Sequence, residues 1–275
     1  SLHDALPILD INSFTAIGSA AAPVCTVRFA GAFRLTINGS IDIQRQMVFN
    51  TAGANPAPEI SLKGNGNHII RSSGTFFNGI RFVLQSDGSG TYTFVDNFRN
   101  ASTGNYSMDM ARGNWIANGV TIQSSRIQSS GPLRNLNFTN CQILADRFNI
   151  YSDFNSFNNT GTSWIVTSGI TTNGGGTFTN ISNIPIHYNA IQFSQSTGAL
   201  YNSSNTITGL SIGHLVVANN LLFGSINPNG EMAINQITVQ NGGTLTFGGD
   251  ANNQQGPRVI SVINGVNVPG NCTNT

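Results

Sequence analysis

The chain has 275 residues, only 8% of them charged, with 12 basic and 11 acidic side chains and a net charge of +1. Ordinary soluble domains are roughly a quarter charged, and binders of nucleic acid or anionic membrane concentrate basic residues on one face. A chain whose one lysine is Lys63 lacks that footprint. Hydrophobic residues make up 39%, including 17 Phe, which supplies a core and excludes the low-hydrophobicity, high-charge regime of disordered chains.

From Val24 onward, short β-prone bursts follow one another. Early examples are Thr26-Val27-Arg28-Phe29, Phe33-Arg34-Leu35-Thr36-Ile37 and Ile80-Arg81-Phe82-Val83-Leu84. Central ones are Leu136-Asn137-Phe138, Arg147-Phe148-Asn149-Ile150, Ser163-Trp164-Ile165-Val166 and Ala190-Ile191-Gln192-Phe193. The series ends with Leu215-Val216-Val217, Ile237-Thr238-Val239, Thr244-Leu245-Thr246-Phe247 and Val259-Ile260-Ser261-Val262. Many alternate apolar and polar residues, the period of a strand with one buried face. Turn signals separate them: Asn38-Gly39, Gly64-Asn65-Gly66-Asn67, Asp87-Gly88, Asn173-Gly174-Gly175-Gly176 and Asn241-Gly242-Gly243. Ala52–Pro58 carries two prolines and reads as a loop or insertion. Glu and Lys are scarce, Asn, Ser, Thr and Gly abound, and no sustained 3.6-residue period occurs, so almost no helix is expected. No run reaches the ~18 apolar residues of a membrane span.

Many short strands fit either a sandwich or a solenoid. Loosely similar units about one coil apart (Leu210–Val217 and Asn235–Gly242) favour the solenoid, with a period of ~20–25 residues. So does the charge depletion. Coils stacked ~4.8 Å apart put equivalent residues in columns. Like charges repel at that spacing, whereas Asn, Ser and Thr hydrogen-bond to the next copy. The expected fold is therefore all-β: a right-handed parallel β-helix, one rod-like domain over residues 9–275. Strand-like sequence still runs at Val259–Val268, so the domain is expected to be truncated at both ends.

Two resemblances add to this reading. Ser1-Leu2-His3-Asp4-Ala5-Leu6-Pro7-Ile8 back-translates to TCC CTA CAC GAC GCT CTT CCG ATC, which resembles the end of a short-read sequencing adapter. Residues 1–8 are therefore treated as an artefact of an assembled metagenomic fragment, and His3 and Asp4 are set aside. The second resemblance lies in Asn137-Phe138-Thr139-Asn140-Cys141, Phe154-Asn155-Ser156-Phe157-Asn158-Asn159-Thr160-Gly161-Thr162-Ser163-Trp164, Gly174-Gly175-Gly176-Thr177-Phe178-Thr179-Asn180-Ile181 and Asn219-Asn220-Leu221-Leu222-Phe223-Gly224-Ser225. These stretches resemble the giant repetitive surface proteins and adhesins exported by the type IX secretion system of gliding and related bacteria. The resemblance runs from Phe29 to Cys272 and is carried by composition and rhythm. It implies a secreted or cell-surface location and a stalk or adhesive role, with no catalytic residues to carry over. The sorting domain such proteins carry at their C-terminus does not appear here.

Candidate chemistry is sparse. Glycoside hydrolysis needs two carboxylates ~5–9.5 Å apart across a cleft. Asp146 and Asp153, flanking Arg147, are the closest central pair, and seven residues do not bring two side chains to one coil position; they read as turn and edge residues. Asp109, Arg112 and Trp115 could make a sugar-binding shelf, against the plainer reading of an ion pair beside a core Trp; Trp164 reads as core likewise. His68, His187 and His214 stand alone, without metal-ligand spacing. Gly174-Gly175-Gly176 lacks the Lys and helix of a phosphate loop, and no nucleophile elbow is present. Cys25, Cys141 and Cys272 contain no C-x-x-C, and they are expected as buried free thiols or as partners of coils beyond the fragment.

No catalytic or metal-binding residue and no cofactor is thus expected. The sequence points to a non-catalytic, extracellular structural or adhesive segment. Its partners would be surface glycans, other cell-surface proteins and neighbouring coils of a longer chain. The alternative is a carbohydrate-active β-helix enzyme, a polysaccharide lyase, hydrolase or tailspike-like depolymerase.

Overall fold

The computed structural model describes residues 8–17, 25–29, 31, 33–51, 57–86, 88–101, 107–129, 134–151, 155–167, 177–181, 186–194, 198–202, 210–224, 231–240, 242–247, 259–262 and 266–267. All regular structure among them is β-strand, and no helix is present. The chain forms two compact units, Ser1–Asn137 and Phe138–Thr275. Within each, the described strand pairings are all parallel and join one coil to the next, which is a β-solenoid.

In the first unit each coil has three faces. The first face stacks Ile8–Ile11, Arg34–Ile37, Glu59–Leu62, Arg81–Gln85 and the start of Met108–Asn118. The second stacks Phe14–Ala16, Ile41–Ile43, Asn67–Arg71, Thr91–Phe94 and the end of Met108–Asn118. The third stacks Cys25–Arg28, Met47–Asn50, Phe76–Asn78, Phe98–Ala101 and the start of Thr121–Ser129. Ile8, the last residue of the adapter-like octet, pairs with Arg34, while residues 1–7 lie outside the described residues. The pairs Arg34↔Glu59 and Glu59↔Arg81 are 25 and 22 residues apart, as a coil period requires.

The second unit repeats the plan. One face stacks the start of Gln142–Tyr151, then Trp164–Thr167, then the ends of Ile186–Phe193, Leu210–Val217 and Glu231–Val239. A second stacks the end of Gln142–Tyr151 with Thr177–Ile181, Gly198–Asn202, Asn220–Gly224 and Thr244–Phe247. The third stacks the starts of Ile186–Phe193, Leu210–Val217 and Glu231–Val239, and then Val259–Val262.

The alternation in the sequence decides what fills each unit. Leu35, Ile37, Ile60, Leu62, Phe82 and Leu84 point inward from the first face and are buried. A column of Phe29, Phe49, Phe77 and Phe98 lines the third, with successive centroids 5.8, 4.8 and 5.3 Å apart. On the second, His68, Tyr92 and Trp115 are register partners whose rings are 5.0 Å apart at both steps. Aromatic pairs at such distances add ~0.5–1.5 kcal/mol each beyond simple burial.

Corners are shaped by glycine. Gly39, Gly64 and Gly90 occupy successive coils between the first two faces. A Cβ on any of them would run into the backbone carbonyl oxygen of Asn12, Asn38 or Gly64 respectively, in the coil before. At Gly113 the strand Met108–Asn118 turns the same corner unbroken, with φ at +99°.

The expected amide and hydroxyl columns are present. Asn135 Nδ2 donates to Asn114 Oδ1 at 2.6 Å, and Asn114 Nδ2 donates to Thr91 Oγ1 at 3.2 Å. Ion pairs stack as well, however: Arg71 and Asp42 are register partners joined at 2.6 Å.

Candidate functional site

The first face of the first unit gathers charge. Arg34, Glu59 and Arg81 are successive register partners on its outer side. Arg34 Nε lies 2.7 Å from Glu59 Oε1, and Arg81 Nη1 lies 3.6 Å from Glu59 Oε2. Arg81 also reaches diagonally to Asp109 Oδ2 at 3.9 Å, and Gln128 Nε2 donates to the same oxygen at 2.8 Å. The Glu59 and Asp109 side chains are only 10% and 9% exposed. Their neighbours Thr36, Ser61 and Val83 also face outward, yet they too are buried. The carboxylates are therefore largely withdrawn from solvent, while the Arg34 and Arg81 side chains stay 38% and 40% exposed.

The expected acidic arrangement is corrected here. The carboxylates that converge are Glu59 and Asp109, two coils apart at ~9.6 Å of stacking. Asp146 is buried, and Asp153 lies outside the described residues. Charges 22–28 residues apart and alternating in sign are the signal in the sequence that marks the cluster.

The Asp109, Arg112 and Trp115 shelf does not form. Trp115 is fully buried on Tyr92, and its Nε1 donates to the Arg112 carbonyl at 2.9 Å. Asp109 turns instead to Arg81 and Gln128. Tyr92 lies below Trp115 with its hydroxyl accepting from the Gly64 N–H at 2.7 Å; burial raises its pKa, and that hydrogen bond offsets part of the rise.

Trp164 corrects its expectation in the opposite sense. Ile165 and Thr167 point inward and are buried, so Trp164, half-buried, points outward beside the exposed register partner Gln142. In the coils that follow, Ala190 and His214 occupy equivalent outward positions. The His214 ring meets Trp164 edge-on, centroids 5.6 Å apart at 64°, and Ala190 is sealed at 1% exposure. His214 Nε2 is 3.0 Å from Thr238 Oγ1, and partial burial lowers the imidazole pKa.

The other histidines have structural partners. The His68 ring packs at a tilt of 40° against Tyr92, and His187 Nδ1 is 2.9 Å from Ser211 Oγ in the next coil. Cys141 is a buried free thiol, as expected. Cys25 departs from expectation: it is free and exposed, and Arg45 Nη2 donates to its sulfur at 2.9 Å. Cys272 lies outside the described residues.

No protein-family model, curated protein or solved structure matches the chain.

Proposed function

We propose that the chain is a non-catalytic structural and adhesive segment of an extracellular, cell-surface protein. One observation carries this: the convergent carboxylates found among the described residues, Glu59 and Asp109, have the Arg81 guanidinium between them and are only 10% and 9% exposed. A hydrolase holds its two carboxylates apart so that a scissile bond and water can enter. Here the intervening space is taken by Arg81, which pairs with both carboxylates, while Arg34 pairs with Glu59 as well. The stacked coils supply a stiff support with many outward positions, and a charge-poor surface suits contact with neutral surfaces. The likeness to exported bacterial adhesins points the same way.

The same cluster favours a second reading, a carbohydrate-active enzyme whose Glu59 and Asp109 act once Arg81 is displaced. Incubating the chain with neutral and acidic polysaccharides while following new reducing ends and unsaturated products separates the two. No cleavage is expected. Turnover that disappears in Glu59→Gln would overturn the non-catalytic reading and establish the second.

A further inference from the structure

The outward side of the face running from Gln142 to Thr238 differs from the charged face of the first unit. Its described positions in the paired segments of Gln142–Tyr151, Trp164–Thr167, Ile186–Phe193, Leu210–Val217 and Glu231–Val239 carry no formal charge. Amides and a hydroxyl flank the aromatic pair: Gln142, Gln192, Gln236 and Thr238. Ala190 matters by being small. It lets the Trp164 and His214 side chains lean together across one coil, and their contact buries it. A partly exposed indole with an imidazole edge against it is thus held on a parallel sheet.

We infer that Trp164 and His214 form a stacking platform for a neutral polysaccharide laid across the coils, with Gln142, Gln192 and Gln236 bonding its hydroxyls. The apolar face of a sugar ring covers an indole, while ring hydroxyls need donors and acceptors at the rim. Gln142, Gln192 and Gln236 stand on every second coil, ~9.6 Å apart in the stacking direction, which spaces donors and acceptors along a chain laid across the coils. The missing formal charge selects neutral over uronate-containing chains, because an acidic chain would lose water here without a cation to meet it. Partial burial lowers the His214 pKa and so favours the uncharged imidazole, which suits the same ligand.

The inference rests on the adhesive reading and names its ligand class. The test is affinity electrophoresis of the whole chain through gels containing laminarin, dextran or xylan, with alginate and polygalacturonate as acidic comparators. Retardation by at least one neutral glycan is expected. Trp164→Ala should weaken it at least tenfold, Trp164→Tyr should restore most of it, and both variants should keep the wild-type circular dichroism. Stronger retardation by the acidic chains, equal retardation of Trp164→Ala, or no retardation in any neutral gel would each overturn the platform. Attachment of the chain to bacterial or particulate surfaces, measured in parallel, separates the two ideas. Attachment that survives without glycan retardation discards the platform and leaves the adhesive reading standing; loss of both discards the adhesive reading with it.

Discussion

Trp115→Ala removes the largest fully buried side chain described in the protein. A tryptophan buries about 150–250 Å², which at roughly 25 cal/mol per Å² corresponds to ~4–6 kcal/mol. Partial relaxation of the surroundings brings the usual cost of such truncations to about 3–5 kcal/mol. Stacking on Tyr92, with rings only 15° from parallel, puts Trp115 at the upper end. The Arg112 carbonyl also loses its indole N–H donor. Against a total stability of about 5–15 kcal/mol for a typical domain, this loss should collapse the neighbouring coils, because each coil of a solenoid is stabilised by the next. Urea unfolding followed by far-ultraviolet circular dichroism measures it. Trp164→Ala is the internal comparison, since its side chain is half out of the protein; about 1 kcal/mol or less is expected there. With two tryptophans in the chain, the fluorescence of Trp115→Ala comes from Trp164 alone. If Trp115→Ala unfolds within about 0.5 kcal/mol of wild type, as an ordinary surface substitution would, the inward column of His68, Tyr92 and Trp115 is wrong.

Gly64→Ala should destabilise the first unit by about 1–3 kcal/mol, the usual cost of overpacking, because its Cβ would collide with the Asn38 carbonyl oxygen. Gly74→Ala, where a Cβ meets open space but φ is +75°, isolates the backbone-strain contribution for comparison by thermal unfolding. Iodoacetamide on the native chain should label Cys25 and spare Cys141 until denaturant is added; peptide mapping reads both sites, and early labelling of Cys141 would contradict its burial.

Much of the architecture was legible because a solenoid writes its period into the sequence. The bursts at Arg34–Ile37, Thr244–Phe247 and Val259–Val262 are strands, and Leu215–Val217 stacks on Ile237–Val239 at a spacing of 22 residues. The facing of individual strands was less legible. Trp115-Ile116 and Trp164-Ile165 are the same dipeptide in the same kind of alternating run. In the first the tryptophan points inward, and in the second the isoleucine does. A one-residue change of phase exchanges every inward side chain for an outward one, and the phase is set by how the chain leaves the preceding corner. At Trp115 that corner is Gly113, with its positive φ and the register shift opposite Gln85. Neither feature is visible in the dipeptide, so both tryptophans read alike and Trp164 was missed as a surface residue. Cys25 departs for a different reason: its register partner Met47 is buried, so Cys25 shares the inward side, yet in the first described coil it is exposed.

The charge columns refine the physical rule that pointed to the fold. Stacking at ~4.8 Å penalises like charges in equivalent positions, and a low overall charge is one way to obey it. Alternation of sign is another, and the first unit uses it wherever charges meet. Arg34, Glu59 and Arg81 follow one another as plus, minus, plus, and Asp42 faces Arg71. Arg99, whose register partner is aromatic, lies 4.3 Å over the Phe76 ring and meets a quadrupole instead of another cation. The constraint therefore acts on neighbouring pairs of coils and leaves the total charge free. A charged residue is tolerated when the position one period away is an opposite charge, an amide or an aromatic face. Applied at 22–26 residues, that rule links Arg34 to Glu59 and Glu59 to Arg81 from sequence alone, although they lie far apart along the chain. It also separates the two outward faces. The charged one pairs its charges and withdraws its carboxylates from solvent, whereas the outward positions of the face bearing Trp164 have no charge to neutralise and leave the indole partly exposed.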